Sequence, residues 1–247
     1  MTTSHSQVLI LGAASDIGIA IAREYAKAGH SLVLAARNVS RLETNAEDIR
    51  IRYRVSVSTL EWDVLSANGG APDILVLSNL PDIVICVVGL LGDQAASERD
   101  AQTAEHVMRA NYVGPALVLG ELANRLEERG SGCIIGISSV AGDRGRASNY
   151  IYGAAKAGFT AFLSGLRNRL ACKGVHVLTV KPGFVKTRMT AGMPLPKLLT
   201  AEPSEVAQAV LAAASRRKDV VYVRPIWRWI MLIICAIPER VFKKMRI

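Results

Sequence analysis

The chain has 247 residues, of which 50% are hydrophobic and 21% are charged. This length buries one sizeable core, which excludes a short peptide scaffold, a disordered chain and a fibrous repeat. The formal net charge is +9, but segment 216–247 holds nine basic and two acidic residues and so carries +7 of it. Because the remaining body is close to neutral, it lacks the basic face of a nucleic-acid groove, and no such partner is expected.

Predicted strands and helices alternate along the chain. Strands are predicted at 8–11, 31–36, 55–60, 82–88, 132–138, 175–181 and 220–223. Helices are predicted at 16–29, 75–80, 101–129 (one long helix or two abutting ones), 149–173 and 204–215. The strands are apolar throughout, which is typical of strands covered by helices on both faces. The predicted fold is one α/β domain over 1–223, a Rossmann-type doubly wound parallel sheet of about seven strands, followed by a basic amphipathic segment at 224–247.

Cysteine and N-terminal patterns indicate the compartment. The four cysteines form no CxxC pair, which argues against a zinc ribbon or a disulfide framework. They are Cys86, Cys133, Cys172 and Cys235. We expect them to be buried hydrophobes in a reducing compartment, and the histidines show no metal-ligand spacing, so no metal is expected. Residues 1–7 lack the basic start and apolar run of a signal peptide, so a cytoplasmic protein is expected.

A glycine-rich turn follows the first strand and reads GAASDIG from Gly12 to Gly18. It opens a helix whose N–H groups and dipole suit a pyrophosphate. An ordinary tight turn is the alternative, but the first strand–helix unit of such a sheet is where dinucleotides bind. We therefore expect Ser15, Asp16, Ile17 and the two glycines to contact a cofactor.

The ends of the second and third strands bear on which cofactor binds. The second strand ends at Ala36 and is followed by Arg37, with no carboxylate for a ribose 2′-hydroxyl. The Arg37 cation suits a 2′-phosphate, which favours NADP(H) and leaves NAD(H) as the alternative. Asp63 is predicted either to bind the adenine amino group or to cap a helix, and Val64 beside it is predicted to contact the cofactor.

Tyr152 and Lys156 are four residues apart in a predicted helix and therefore share one face. An ammonium beside the phenol and the cofactor ribose would lower the phenol pKa from about 10 towards the working pH, so Tyr152 and Lys156 are also expected to contact the cofactor. Tyr152 would then be a general acid for a ketone oxygen, and a serine hydroxyl at the preceding strand end would hydrogen-bond the same oxygen. A chance surface pair is the alternative for any single YxxxK.

The glycine loop, the serine, the YxxxK and a PGFVKT segment occur in an order that resembles the short-chain dehydrogenase/reductase superfamily over about residues 7–223. The resemblance implies that Asn111 holds a backbone kink and a proton-relaying water. It also implies that Ser139, thirteen residues before the tyrosine, is catalytic instead of Ser138, and that Thr187 binds the nicotinamide carboxamide. The other cofactor contacts that it implies are Gly89, Pro182, Gly183 and Val185.

Two positions depart from the superfamily pattern. Asp16 replaces the middle glycine of the loop, where we expect it to cap the helix and to weaken cofactor affinity through its charge. CVVG at 86–89 replaces the usual NNAG, which removes a side-chain amide that braces the sheet.

Segments 88–93, 141–149 and 187–189 and the chain from 225 onward resemble one branch, the decaprenylphosphoryl-2-keto-erythro-pentose reductases. That resemblance implies a polyprenyl-phosphate-linked 2-keto-pentose as substrate, supplied by a separate oxidase, and a homodimer or homotetramer. A reductase of 3-oxoacyl groups or other hydrophobic ketones is the first alternative. A non-catalytic nucleotide-binding protein is the second alternative. The complete set of Asn111, Ser139, Tyr152 and Lys156 argues against it, because nucleotide binding alone needs no proton relay.

The C-terminal segment contains nine consecutive apolar residues at 229–237, far fewer than the roughly 20 that a spanning helix needs. Trp227, Trp229 and the basic cluster suit a segment that lies on anionic lipid. Packing on the core or on a neighbouring subunit is the alternative.

Overall fold

Seven parallel strands form the centre of the fold in the computed structural model, which describes residues 6–71, 74, 77 and 79–245. Together with two short strands outside this sheet, the strands in chain order are β1 (Gln7–Leu11), β2 (Ser31–Ala36), β3 (Val57–Glu61), β4 (Ile83–Cys86), β5 (Gly132–Ile137), β6 (Val175–Lys181), β7 (Phe184–Val185), β8 (Thr200–Ala201) and β9 (Val220–Tyr222). The sheet order is β3-β2-β1-β4-β5-β6-β9, while β7 and β8 form a separate pair. The predicted doubly wound parallel sheet is confirmed.

Helices cover both faces of the sheet. They are α1 (Asp16–Lys27), α2 (Ser40–Tyr53), α3 (Gln94–Arg99), α4 (Ala101–Met108), α5 (Gly114–Arg129), α6 (Tyr150–Leu170), α7 (Pro203–Ser215), α8 (Ile226–Ala236) and α9 (Glu239–Phe242). Successive β1 residues point to opposite sides, so Val8 and Ile10 pack with α1, α2 and α7, whereas Leu9 and Leu11 pack with α5 and α6. This double burial explains why the strands are apolar throughout.

Some predicted elements differ from those in the structure. Helix α2 was not predicted, because its only buried residues, Leu42, Ala46 and Ile49, are separated by polar and charged ones. The helix predicted at 101–129 consists of α4 and α5, joined by a π-helical turn at Arg109–Val113. The helix predicted at 75–80 lies largely outside the described residues.

The cysteine prediction was wrong in part. Cys86 is buried and Cys133 is partly buried, but Cys172 and Cys235 are exposed. Cys172 lies two residues after the end of α6, and Cys235 lies near the end of α8, where its Sγ is 3.4 Å from the Asp143 carbonyl oxygen. None of the helices in the described part of the chain has the length and apolar character needed to cross a membrane.

Candidate active site

A cleft runs along the carboxyl ends of the strands. It lies between the adjacent strands β1 and β4, from which the chain continues to opposite halves of the sheet. Ligands bind at this point in open α/β sheets. The cleft consists of two adjoining cavities of about 380 and 350 Å³. The larger one, which we call the substrate cavity, holds Ser139 and Tyr152, and the smaller one, the nucleotide cavity, holds Arg37. The residues that line both are Ser15, Val87, Val88, Gly89 and Arg188.

The glycine loop holds the start of α1 against this cleft. Gly12 has φ +86°, and a Cβ there would lie 3.1 Å from the Val88 side chain, so both its conformation and its surroundings favour glycine. Ser15 is the N-cap, since its Oγ accepts from the Gly18 N–H at 3.0 Å and donates to the Gly12 carbonyl at 2.9 Å. Gly18 lines neither cavity and packs against the backbone of Ala13.

Asp16 does not cap the helix, contrary to the prediction. It is the first residue of α1, and its carboxylate accepts from the Arg188 backbone N–H at 2.7 Å and from Arg188 Nε at 2.8 Å. Arg188 Nη2 also donates to the Ala14 carbonyl at 2.7 Å. The pair therefore ties the glycine loop to the segment after β7, and the Asp16 charge is compensated by Arg188.

Arg37 borders the nucleotide cavity at the end of β2, together with Arg41 from the first turn of α2. Neither arginine forms an ion pair with any described residue. Arg41 was missed in the sequence, although a second arginine four residues after the first was a visible signal. Val64 lines this cavity, whereas Asp63 does not. The Asp63 carboxylate instead accepts a hydrogen bond from the Leu65 N–H at 3.0 Å in a local turn.

Lys156 is nearly fully buried on α6, and its Nζ donates to the carbonyls of Val88 and Ile137, both at 3.1 Å. The ammonium is thus held between the segments that follow β4 and end β5. Burial lowers the pKa of Lys156 to about 8. At neutral pH the side chain still carries its charge.

Tyr152 faces the substrate cavity one helical turn before Lys156. The Lys156 Nζ lies 5.9 Å from the Tyr152 ring centroid. Burial raises the pKa of Tyr152 to about 12, and Ser139 offsets only part of this rise. The predicted fall in the phenol pKa was wrong, because burial raises the pKa more than the hydrogen bond with Ser139 lowers it.

The two serines after β5 have different surroundings. Ser138 Oγ donates to the Lys156 carbonyl at 3.1 Å and lies 2.6 Å from Thr160 Oγ1, which fastens β5 to α6. Ser139 Oγ accepts from the Ala141 N–H at 3.1 Å and lies on the Tyr152 side. Of these two serines, Ser138 has its hydroxyl bonded to α6, whereas the Ser139 hydroxyl is oriented towards Tyr152 in the cavity.

Asn111 is completely buried in the π-helical turn. Its Nδ2 donates to the carbonyls of Leu90 and Val107, at 2.7 and 2.8 Å, and its Oδ1 accepts from the Leu90 N–H at 3.1 Å. This amide braces the backbone just after CVVG at 86–89, where the superfamily's own bracing amide is missing. The predicted kink at Asn111 corresponds to the π-helical turn.

The segment after β6 forms one wall of the substrate cavity, and its lining residues include Pro182, Gly183, Val185 and Thr187. A Cβ at Gly183 would lie 2.0 Å from the Trp227 ring, so glycine is required there by the packing of α8. Thr187 is the N-cap of a short 3-10 turn that ends at Thr190.

The C-terminal segment completes that wall, so the division of the chain at 223/224 does not separate it from the body. Trp227 is 4% exposed, packs edge-on to Phe184 at 5.4 Å between ring centroids, and donates from Nε1 to the Leu199 carbonyl at 3.1 Å. Its predicted role as a lipid anchor was wrong. Trp229, on the opposite face of α8, is 63% exposed.

Arg144 fastens the end of α8 to the loop after β5. Its Nη1 donates to the carbonyls of Ile234, Cys235 and Ile237 at 2.7–3.0 Å, and its Nη2 pairs with Glu239 at 2.8 Å. Its guanidinium also lies 3.8 Å from the Phe242 ring centroid. Sequence reasoning missed this contact, because a span of about ninety residues separates its partners.

Comparisons with known proteins agree with this geometry. The pattern of the short chain dehydrogenase family matches residues 6–196. An uncharacterised oxidoreductase of Mycobacterium tuberculosis is 38% identical over 246 residues, covering 98% of each chain. A short-chain dehydrogenase from Sphingobium yanoikuyae in complex with NADPH superposes with a TM-score of 0.81 at 27% identity, covering 95% of this chain and 97% of the other.

The bulky-bulky ketone specific alcohol dehydrogenase from Comamonas testosteroni is also similar, with a TM-score of 0.81 at 26% identity, covering 99% of this chain and 96% of the other. The family match spans well over half of the chain and includes the glycine loop, Ser139, Tyr152 and Lys156. The chain belongs to the short-chain dehydrogenase family of oxidoreductases.

Proposed function

We propose that the protein is an NADP(H)-dependent reductase that converts a hydrophobic ketone to a secondary alcohol. The observation that carries the proposal is the placement of Ser139, Tyr152 and Lys156 where the substrate cavity meets the nucleotide cavity. A ketone there would have its oxygen next to two hydroxyl groups and near one buried cation. Asn111 is a positioning residue, since it holds the backbone beside Gly89 and Lys156.

The nucleotide cavity fits a phosphorylated dinucleotide. Ser15, the N-cap of α1, lines this cavity, and the backbone N–H groups at the start of a helix suit a pyrophosphate. Arg37 and Arg41, both without an ion-pair partner in the described residues, suit a 2′-phosphate. The similar Sphingobium protein is in complex with NADPH. When bound, the nicotinamide would supply the hydride.

The pKa values of Tyr152 and Lys156 support the proton-transfer roles that we propose. With a pKa near 12, Tyr152 keeps its proton at neutral pH and can donate it to an oxygen that gains negative charge. Ser139 donates a hydrogen bond to the same oxygen, and the charge on Lys156 stabilises the resulting phenolate. The two carbonyls that hold Lys156 Nζ fix that charge in place.

For the substrate we propose a long apolar molecule, such as the polyprenyl-phosphate-linked 2-keto-pentose that the sequence resemblance implies. Met189, Met193, Phe184 and Trp227 give the cavity an apolar wall, and flexible methionines adapt to irregular chains. A reductase of 3-oxoacyl groups or of other bulky ketones is the second candidate, favoured by similarity to the Comamonas enzyme.

We propose that α8 also contacts the membrane surface, where a prenyl substrate would reside. The apolar residues on its outer face are Ile226, Trp229, Leu232 and Ile233, each more than half exposed. Arg228, Arg240, Lys243 and Lys244 in and beyond this helix would attract anionic headgroups. A homodimer or homotetramer remains the expected assembly.

Product analysis tests the proposal directly. Purified protein is incubated with NADPH and either a polyprenyl-phosphate keto-sugar or a short 3-oxoacyl thioester, and the alcohol is identified by mass spectrometry. Reduction of the keto-sugar alone supports the first candidate, reduction of the thioester alone supports the second, and reduction of neither contradicts both. Tyr152→Phe serves as the control for enzyme-dependent turnover.

Membrane contact is tested with the double variant Trp229→Ser/Ile233→Ser, which leaves the buried face of α8 intact. We expect the wild type to sediment with anionic liposomes and the variant to remain in solution, with high salt also weakening the binding. Unchanged sedimentation of the variant would contradict this part of the proposal.

A further inference from the structure

The substrate cavity contains two polar side chains with unpartnered atoms. Arg146 Nε and Asn149 Oδ1 are buried, and neither has a hydrogen-bond partner within the described part of the chain. Both residues line the cavity beside Ser139 and Tyr152. Burying such groups without partners costs free energy, which makes them informative when they border a cavity.

The acidic group nearest in sequence to Arg146 is already engaged. Asp143 acts electrostatically on Arg146, but its Oδ1 accepts from Lys181 Nζ at 2.5 Å and its Oδ2 accepts from the Tyr222 hydroxyl at 2.9 Å. Burial lowers the pKa of Arg146 from its ordinary value, although an arginine stays charged. The cavity thus contains a cation that forms no salt bridge with any described residue, since the carboxylate that attracts it is held by Lys181 and Tyr222.

Arg144 provides a contrast within the same loop. Its guanidinium is saturated by three carbonyls, Glu239 and the Phe242 ring, all in the C-terminal segment. The role of Arg144 is therefore to hold α8 in place, and this role does not extend to Arg146. Arg146, two residues later, makes none of these contacts.

Asn149 occupies the N-cap of α6, where an amide side chain ordinarily accepts from an N–H of the first turn. Its side chain makes no such bond. The Ile151 N–H donates instead to Gln94 Oε1 at 3.3 Å. Helix capping therefore does not account for the Asn149 side chain, which borders the cavity beside Arg146.

We propose that Arg146 binds an oxyanion on the substrate, either a phosphate ester or a carboxylate, and that Asn149 hydrogen-bonds a hydroxyl beside it. A guanidinium suits both anions because its parallel N–H groups match two oxygens. The inference rests on the proposed function and narrows its substrate to a ketone that carries an anionic group near the carbonyl. The apolar part of that substrate lies against Trp227 and the methionines.

Titration calorimetry with three probes that share a benzene ring tests the inference: phenyl phosphate, benzoate and benzyl alcohol. The protein is saturated with NADP⁺, so that the phosphate positions of the nucleotide cavity are filled. We expect at least one anion to bind about tenfold more tightly than benzyl alcohol, the scale of a charge-assisted hydrogen bond. Preference for phenyl phosphate identifies a phosphate ester, and preference for benzoate identifies a carboxylate.

Variants of Arg146 assign the preference to this residue. Arg146→Gln should abolish it and Arg146→Lys should keep part of it. Arg216→Gln, the matched loss of an exposed arginine that lines neither cavity, should leave it unchanged. Equal affinity of the wild type for all three probes, or an anion preference that survives Arg146→Gln, would overturn the inference.

Thermal stability separates recognition from a structural role. Because the buried Arg146 Nε has no hydrogen-bond partner among the described residues, which is unfavourable, Arg146→Met should melt at the same or a higher temperature than the wild type. A lower melting temperature would show that Arg146 supports the fold and would overturn the inference.

Failure of the proposed function would be visible separately, as an absence of NADP⁺ binding. Phenyl phosphate would then be titrated without cofactor into Arg146→Gln and Arg37→Ala. Loss of binding in Arg146→Gln alone would still support the anion site, whereas loss in Arg37→Ala alone would overturn it.

Discussion

The two halves of the cleft are built differently. In the nucleotide half, the contacts that set the glycine loop are local, such as those of Ser15 with Gly12 and Gly18. In the substrate half, the walls come from distant parts of the chain, and Trp227 packs over Gly183 and bonds to Leu199. The conformation of the glycine loop is therefore set mainly within one strand–helix unit, while the walls of the substrate half depend on long-range packing. Such a division lets one fold keep its cofactor while its substrate changes.

The largest expected effect comes from substituting the two tryptophans of α8, one buried and one exposed. Trp227→Ala removes a buried ring from the substrate half and should lower the free energy of unfolding by about 3–5 kcal/mol. Trp229→Ala, on the exposed face, should change it by less than about 0.5 kcal/mol. Urea denaturation of both variants measures the difference. Similar values for the two would mean that α8 does not belong to the core of the substrate half.

Lys156→Met tests the burial of the cation between the two halves. The fall in its pKa from 10.5 to about 8 corresponds to a cost of about 3 kcal/mol at pH 7, at about 1.4 kcal/mol per pKa unit. The variant should therefore be more stable than the wild type at pH 7. Above pH 8 the folded lysine loses its proton while the unfolded one keeps it, so the difference should shrink as the pH approaches 10.5.

Denaturation at several pH values checks this expectation. A stability difference that stays constant between pH 7 and pH 10 would contradict it, because the gain would then come from packing and not from the charge.

Tyr152→Phe removes the proposed general acid and should reduce turnover by at least about 10²-fold. The cofactor dissociation constant should change little, because the phenol lies on the substrate side. Tyr150→Phe is the matched control, since Tyr150 is largely exposed and has no lysine four residues later. Loss of activity in Tyr150→Phe with an active Tyr152→Phe would overturn the assignment.

The same contrast explains how much of the protein could be predicted from its sequence. Strands β2 and β6 match their predicted bounds, because continuous apolar runs report burial on both faces. Helix α2 escaped prediction because charged residues separate its few buried positions. Helical spacing alone places Tyr152 and Lys156 on one face, since this relation is local.

The long-range contacts of the site have no local signal in the sequence. The contacts of Arg188 with Asp16 and Ala14 join residues more than 170 positions apart. The raised pKa of Tyr152 depends on burial by segments that the YxxxK pattern does not contain. Arg144 and Arg146 look equivalent in the sequence and differ only in what tertiary packing brings to them.

Arg37→Ala tests whether Arg37 makes the nucleotide cavity prefer NADPH over NADH. Loss of a cation that faces the 2′-phosphate should raise the NADPH dissociation constant by about tenfold, the worth of one charge-assisted hydrogen bond. The NADH constant should stay nearly unchanged, since NADH lacks that phosphate. Cofactor fluorescence measures both constants. A wild type that prefers NADH would contradict the assignment of Arg37.

The smallest expected effect concerns the Asp16–Arg188 pair, the direct bond between the two halves. The Arg188 side chain is 71% exposed, and such exposed pairs contribute at most about 1 kcal/mol to stability. Arg188→Gln should therefore melt within a few degrees of the wild type. The substitution should mainly weaken cofactor binding, because Asp16 would then present an uncompensated negative charge at the start of α1, beside the pyrophosphate position.

We expect a rise of a few-fold in the NADPH dissociation constant of Arg188→Gln, larger at low salt than at high salt, since screening weakens the repulsion. Adding Asp16→Asn removes the charge and should restore most of the affinity. Fluorescence titrations of the single and double variants at two salt concentrations measure the coupling. If the double variant binds no better than Arg188→Gln, Arg188 contributes by contacting the cofactor and not by neutralising Asp16.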